Sequence, residues 1–202
     1  MFRKQACALI AGLSLACLAA CSAKIPPTNY YILGFSDTLT DGPPQARFPY
    51  TLLVEPFDAN SVYQQRKIVW RSAPNELGYY PYDKWGALPT EMFTYRLSRS
   101  ARESGLFQRV YPIAAPNAAD LRLGGTLLAF EELDTPEGWF GHVRVSAELA
   151  RADGTLLWSG EIEHKEPAAA RTTEAVVEAI AASTETVIVE MLSSIERALT
   201  QM

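Results

Sequence analysis

The feature that most restricts the fold is a long stretch of alternating apolar and polar residues from Leu121 to Glu163. A two-residue period is typical of strands with one covered face and one wetter face. Residues Arg151 to Gly154 interrupt it, and Gly154 can take the positive φ of a tight hairpin turn. The stretch therefore predicts an antiparallel meander. Its apolar positions are Leu121, Leu123, Leu127, Ala129, Val143, Val145, Ala147, Leu149, Leu156, Trp158 and Ile162.

Two other stretches repeat their apolar residues at steps of three and four, which predicts amphipathic helices. The first runs from about Pro89, which suits a first helical position, to Ser104, where Gly105 supplies a stop. The second runs from about Thr173 to Leu199. Thr172 is placed to cap that helix at its amino end.

Short apolar or aromatic runs in the first half predict further strands. They are Tyr30 to Phe35, Tyr50 to Phe57, "KIVWR", "LGYYPYDKW" and "LFQRVYP". The order of elements predicts an α/β fold of the α+β kind, in which a single mixed, largely antiparallel sheet is covered by two main helices.

The amino terminus has the features of a processing signal. Arg3 and Lys4 precede about fifteen apolar residues, which at roughly 1.5 Å each fall short of a membrane core of ~30 Å. The run ends in "LAAC", which is similar to the lipobox of bacterial lipoproteins, where the cysteine is acylated and becomes the first residue. The alternative is an ordinary secretory signal that contains a cysteine.

The lipobox interpretation divides the chain into a removed signal peptide (1–20), a lipidated tether (21–29) and one domain (30–202). Cys7 and Cys17 leave with the signal and Cys21 carries lipid, so no disulfide is expected despite an oxidising compartment. Ser22, in place of an aspartate, favours the periplasmic face of the outer membrane. The eight residues after Cys21 reach roughly 26 Å when extended.

The charge balance argues against two classes of partner. Removal of Arg3 and Lys4, with no acid, takes the formal net charge from −5 to −7. An acidic domain of this kind is not suited to nucleic acid or to adsorption on anionic head groups.

No catalytic or metal site is predicted. His142 and His164 are interpreted as surface residues, and with no thiol beyond Cys21 there are too few ligands for zinc. Glu131, Glu132 and Asp134 are interpreted as solvated acids near a strand end. We therefore expect no cofactor and no enzymatic activity.

Aromatic residues give the best candidate for a partner surface. Tyr and Trp suit recognition because each buries a large area and keeps a polar tip. The alternative is that they pack into the core of the domain itself. The candidates are Tyr79, Tyr80, Tyr82 and Trp85 in "YYPYDKW" and Trp139 and Phe140 in "EGWF".

Several motifs in order resemble one family, the ABC-type transport auxiliary lipoproteins. After the lipobox come "YYIL", "LLVEPF", "RKIVWR" and "YDKWGALPTEMFTYRLSRSARESGLFQRV". The resemblance covers most of the chain, from about Tyr30 to Leu199.

The resemblance implies a non-enzymatic outer-membrane lipoprotein, held in the membrane by its acyl chains, that serves a system moving lipids between two membranes. Its implied partners are a periplasmic MCE-domain protein and an inner-membrane ABC permease with its ATPase. Some relatives assemble as rings, so a homo-oligomer is a further expectation. Two alternatives stay open: a periplasmic lipoprotein that itself carries lipid, and a lipoprotein activator of a cell-wall enzyme.

Overall fold

The computed structural model describes residues 26–34, 46–111 and 119–202, and these ranges hold nine β-strands and two α-helices. No helix within them is both long enough and apolar enough to cross a bilayer. The elements are β1 (Asn29–Tyr31), β2 (Phe48–Val54), β3 (Asp58–Ala59), β4 (Lys67–Ala73), β5 (Glu76–Trp85), α1 (Pro89–Glu103), β6 (Phe107–Tyr111), β7 (Leu121–Thr135), β8 (Gly138–Arg151), β9 (Leu156–Pro167) and α2 (Thr173–Thr200), with a 3-10 turn at Ser61–Tyr63.

Strand β7 is the centre of the sheet. One of its edges pairs antiparallel with β8 along the whole strand, from Leu121 opposite Arg151 to Thr135 opposite Gly138. The other edge pairs in turn with β2, β3 and β4, all parallel to it. A strand of fifteen residues is long enough to pair with three short strands, one after another along its length.

The remaining strands extend the sheet outward from these pairs. Strand β6 lies parallel to β2, β5 antiparallel to β4, β1 parallel to β5, and β9 antiparallel to β8. The long pairings are antiparallel and the short ones mostly parallel, so the predicted mixed sheet with two covering helices is confirmed.

Helix α2 covers one face of β8 and β9 at very close range. The odd-numbered residues of β8 from Gly141 to Leu149 are buried on this face. At Gly141 a Cβ atom would lie 2.2 Å from the backbone nitrogen of Ile180, so the helix rests on the strand where no side chain intervenes. The predicted helical period of α2 is confirmed, since Val177, Ile180, Thr184, Val187, Met191 and Ile195 are all buried.

Helix α1 packs against β6, β2 and α2. Pro89 occupies its first turn, and the Leu88 N–H donates to the Glu91 carboxylate at 2.9 Å, which satisfies one otherwise unpaired donor. It ends just before Gly105, whose φ is 65°. The Arg96 guanidinium donates to the Glu185 carboxylate and so links the two helices.

Two predicted strands differ from the observed ones at their ends. The first was expected over Tyr30 to Phe35, but pairing stops at Tyr31, and Phe35 lies outside the described residues. The second was expected to reach Phe57, but β2 ends at Val54. Pro56 has no N–H to donate, so the ladder cannot continue through it.

The close approach at Gly141 generates a stability prediction. Gly141→Ala should lower the free energy of unfolding by about 1–3 kcal/mol, because the added methyl group pushes α2 away from β8. The matched control is Gly34→Ala, where an added Cβ has no atom within 4 Å. Urea unfolding curves of the two variants and the parent chain measure the difference. Equal midpoints for the two variants would contradict the close packing.

Candidate functional site

The predicted lipidation site, Cys21, lies outside the described residues, and the description of the tether begins at Pro26. Where the tether joins the domain can still be seen, because β1 follows directly. Strand β1 pairs with the last residues of β5, with Asn29 opposite Asp83 and Tyr31 opposite Trp85.

Polar side chains fix β1 to the amino end of α2. The Tyr31 hydroxyl donates to Glu174 at 3.0 Å, and the Asn29 amide donates to Asp83 at 2.9 Å. The Thr173 hydroxyl donates to the other oxygen of Asp83 at 3.1 Å. Burial, together with the hydrogen bond to Glu174 and the charge of Asp83, raises the pKa of Tyr31 to about 12. The tether therefore enters the domain beside the first turn of α2.

One of the six candidate aromatic residues is wrongly assigned to a surface. Trp85 is fully buried and packs edge-on against Phe130, with ring centroids 5.3 Å apart. It lies at the end of β5, beside β1 in the sheet, and its ring is part of the core. Trp85 is a core residue.

Tyr80 and Trp139 lie on the side of the sheet that α2 covers. The Tyr80 hydroxyl donates to Glu132, and burial followed by this bond raises the pKa of Tyr80. Burial also raises the pKa of the Glu132 carboxyl. The Arg171 guanidinium lies over the Trp139 ring, 5.6 Å from its centroid. Both aromatic rings are half-buried.

The other three candidates are placed differently. Tyr79 and Phe140 are half-buried on the opposite side of the sheet, where the Lys67 ammonium lies 4.9 Å from the Tyr79 ring centroid. Tyr82 is 40% exposed, in the part of β5 where the register against β4 is broken. The six residues do not form one surface.

What remains is a smaller surface at one end of the domain, which we name the tether end. It comprises Tyr31, Tyr80, Tyr82, Trp139 and Arg171. Its members come from β1, β5, β8 and the connection before α2. The pairing of β1 with β5 places Tyr31 beside the end of β5, and the Ala168 N–H, which donates to the Trp139 carbonyl at 2.8 Å, joins β8 to the connection before α2.

The structure also contains a buried charged cluster that sequence reasoning missed. Glu131 and Glu132, interpreted above as solvated acids, are 1% and 2% exposed, because β7 continues through them. Glu131 accepts from the Tyr63 hydroxyl at 2.6 Å and from the Arg71 guanidinium at 2.7 Å. The Nδ1 atom of His142 lies 3.4 Å from the same carboxylate.

The side chains bonded to Glu131 lower its pKa by more than burial raises it. Burial alone would raise the pKa of Glu131, but His142, Arg71 and Tyr63 together hold it below its usual value. Burial and the bond to Glu131 raise the pKa of the Tyr63 hydroxyl, which stays protonated as the donor. Glu131 is therefore an ionised carboxylate inside the fold, and the arrangement is one of structural support.

The interpretation of His142 as a surface residue is also wrong. It is 9% exposed and lies between Glu131 and Glu163, with Nε2 3.0 Å from Glu163. His164 is half-buried on the next strand, 3.2 Å from Glu166. Among the residues that the structure describes, no group of three or more His, Cys, Asp or Glu side chains is arranged to hold a metal ion.

One sequence signal could have found the cluster. Pro136 and Glu137 form a two-residue loop between β7 and β8, which fixes the register of the hairpin. Counting back from this loop places His142 opposite Glu131, as observed. The third partner, Arg71, is sixty residues away in sequence and no local pattern joins it to Glu131.

Comparison with known proteins places the chain among relatives of similar fold. The family model described as "ABC-type transport auxiliary lipoprotein component" matches residues 31–191. No curated protein matches the sequence.

Two solved structures share its fold at low sequence identity. A DUF330 protein from Xanthomonas campestris is 20% identical, with a TM-score of 0.73 over 86% of this chain and 98% of the other. An uncharacterized protein is 13% identical, with a TM-score of 0.62 over 82% and 97% of the two chains.

The buried carboxylate leads to a pH-dependent stability prediction. Glu131→Gln should destabilise the fold by about 3 kcal/mol at neutral pH, because it leaves the partly buried Arg71 charge without its partner. Because the folded-state pKa of Glu131 is lowered, its stabilisation is present above the unfolded value of ~4.3 and is lost in more acidic solution. The difference between variant and parent should therefore shrink below about pH 4.

The control for this prediction is Glu161→Gln, which removes an exposed partner of Arg144. It should change the free energy of unfolding by less than about 1 kcal/mol. Denaturant unfolding of the three chains between pH 3 and pH 8 makes the comparison. A difference for Glu131→Gln that is constant across this range would show that ionisation of Glu131 is not the cause.

Proposed function

Since the chain belongs to the ABC-type transport auxiliary lipoprotein family, we propose that it is the outer-membrane docking component of an intermembrane lipid transport system. Membership of this family indicates a membrane-anchored lipoprotein that faces the periplasm. Beyond this, we place the protein at the outer membrane, with a periplasmic MCE-domain protein as its direct partner. An inner-membrane permease with its ATPase completes the proposed system. The family match carries the proposal.

In this proposal the acyl chains on Cys21 hold the domain within a short distance of the bilayer. Stable anchoring takes a second signal, such as a second acyl chain, since a single chain binds only marginally. The tether joins the domain at the tether end, because β1 is fixed beside Asp83, Thr173 and Glu174.

The protein needs no reaction of its own for this role. The ionised carboxylate of Glu131 is engaged with Arg71 and Tyr63, and Glu132 with Tyr80. We propose that energy for transport is supplied by the ATPase and that this protein contributes position and contact. The exposed and half-buried aromatic residues of the tether end are the proposed contact with the MCE-domain protein.

The anchoring step predicts the behaviour of Cys21→Ala. This variant should fold normally and move from the membrane pellet to the soluble periplasmic fraction, and cells that carry it should lose lipid transport. The matched control is Cys17→Ala, which alters a cysteine of the removed segment and should stay in the pellet. Intact-mass measurement of the parent protein should show acyl chains on an amino-terminal Cys21. Full transport by Cys21→Ala would contradict the proposal.

The contact step predicts a crosslink. A photoreactive phenylalanine analogue in place of Tyr82, which is 40% exposed, should crosslink to the MCE-domain protein in intact cells. The same analogue in place of Leu156, which is 54% exposed at the start of β9, is the control and should not. Crosslinking at both positions or only at Leu156 would place the contact elsewhere on the domain.

A further inference from the structure

An apolar groove lies between helix α1 and the chain on either side of it. It has a volume of about 520 Å³ and is walled by Ile32 and Leu33 after β1, by Phe57 after β2, and by Met92 and Tyr95 on α1. Ligand cavities commonly measure about 300–1,000 Å³. The groove is thus large enough for a small apolar ligand or for one chain of a larger one.

Three polar side chains of the wall are already engaged within the protein. The Thr94 hydroxyl accepts from the Phe57 N–H at 3.0 Å, and the Ser98 hydroxyl donates to the Thr94 carbonyl at 2.8 Å. The Glu91 carboxylate accepts from the Leu88 N–H at 2.9 Å. The rest of the wall is mostly carbon, so the groove favours hydrocarbon.

The mouth of the groove exposes unusually large apolar side chains. Ile32 is 64% exposed and Tyr95 is 56% exposed, and Tyr30, two residues before Ile32, is 65% exposed. Ile32 and Tyr95 both line the groove, and large exposed apolar patches mark sites of interaction with a ligand, a protein or a membrane.

We propose that this groove binds one acyl chain of a membrane phospholipid. This inference rests on the proposed anchoring, because the bilayer that holds the anchor is the source of the ligand. Ile32 is eleven residues from Cys21, and an extended chain of that length reaches roughly 36 Å. The groove is thereby kept near a bilayer, where acyl chains are the most abundant apolar partner. Its volume suits one chain and leaves the head group outside.

The charge at the mouth favours a phospholipid over a free fatty acid. Glu91 is exposed and lines the groove, so its carboxylate repels the carboxylate of a fatty acid. The same carboxylate attracts the ammonium group of an ethanolamine head group. The preferred ligand is therefore a phospholipid with an amine in its head group.

The test is a titration of the Cys21→Ala chain with a fluorescent lysophosphatidylethanolamine, which has a single acyl chain. Binding should saturate at one lipid for each chain. Unlabelled lysophosphatidylethanolamine should displace the probe, a fatty acid of equal length should compete at least tenfold less well, and glycerophosphoethanolamine, which has no acyl chain, should not compete. Equal competition by the fatty acid would overturn the assignment to a phospholipid, and no saturable binding would overturn the site.

Two variants locate the binding. Ala87→Trp places an indole ring in the groove, and Ile32→Asp places a charge at its mouth on a side chain that is already exposed. Each should weaken binding at least tenfold. The control is Val189→Asp, at a residue 60% exposed on α2 and outside the groove, which should bind as the parent does. Thermal melts of each variant separate loss of binding from loss of folding, and Ile32→Asp keeps the test valid if Ala87→Trp fails to fold.

The outcomes separate this inference from the proposed function. Failure of Cys21 to carry acyl chains would remove the anchoring but leave the titration unchanged, whereas unchanged affinity in both groove variants would overturn the groove and leave the anchoring intact. If the parent chain binds no lipid and Ile32→Asp dissociates an oligomer in sedimentation measurements, the groove is an interface between two copies and the inference is wrong.

Discussion

The ladder of hydrogen bonds along β7 is the constraint on which the rest of the structure depends. Strand β8 occupies one edge over the full length of β7, and β2, β3 and β4 share the other edge. Among the described residues these three short strands share no other strand partner, so β7 aligns them within the sheet. The same ladder holds Gly141 under α2 and Glu131 beside Arg71.

Two adjacent glutamates on this strand show how local surroundings shift the pKa values of identical groups in opposite directions. Successive side chains of a strand point to opposite faces, so Glu131 meets Arg71 and Tyr63 on one face and Glu132 meets Tyr80 on the other. Hydrogen bonds from His142, Arg71 and Tyr63 lower the pKa of Glu131 despite burial, whereas burial raises the pKa of Glu132 despite its bond to Tyr80 and the charge of Arg171. One acid stabilises the fold as an ion, and the other is easier to protonate.

The sequence predicted the elements that repeat and missed the contacts that join distant segments. The two helices and the meander follow from periods of about 3.6 and 2, and their bounds fall within a few residues of Pro89, Ser104, Thr173 and Leu199. The burial of Glu131 and His142 was missed because it depends on Arg71 in another strand. Trp85 was assigned to a surface because an aromatic residue has the same local pattern whether it faces a partner or the core.

The geometry of β1 determines how the domain responds to a mechanical pull. Strand β1 is parallel to β5 and short, and its amino end leads back along the chain to the predicted lipid anchor. Tension between the bilayer and a partner would act along the axis of β1, so its hydrogen bonds to β5 would share the force in shear and would not open one after another. The Asn29 bond to Asp83 and the Tyr31 bond to Glu174 would carry part of the same force into α2. A three-residue strand can thus transmit force to the longest helix that the structure describes.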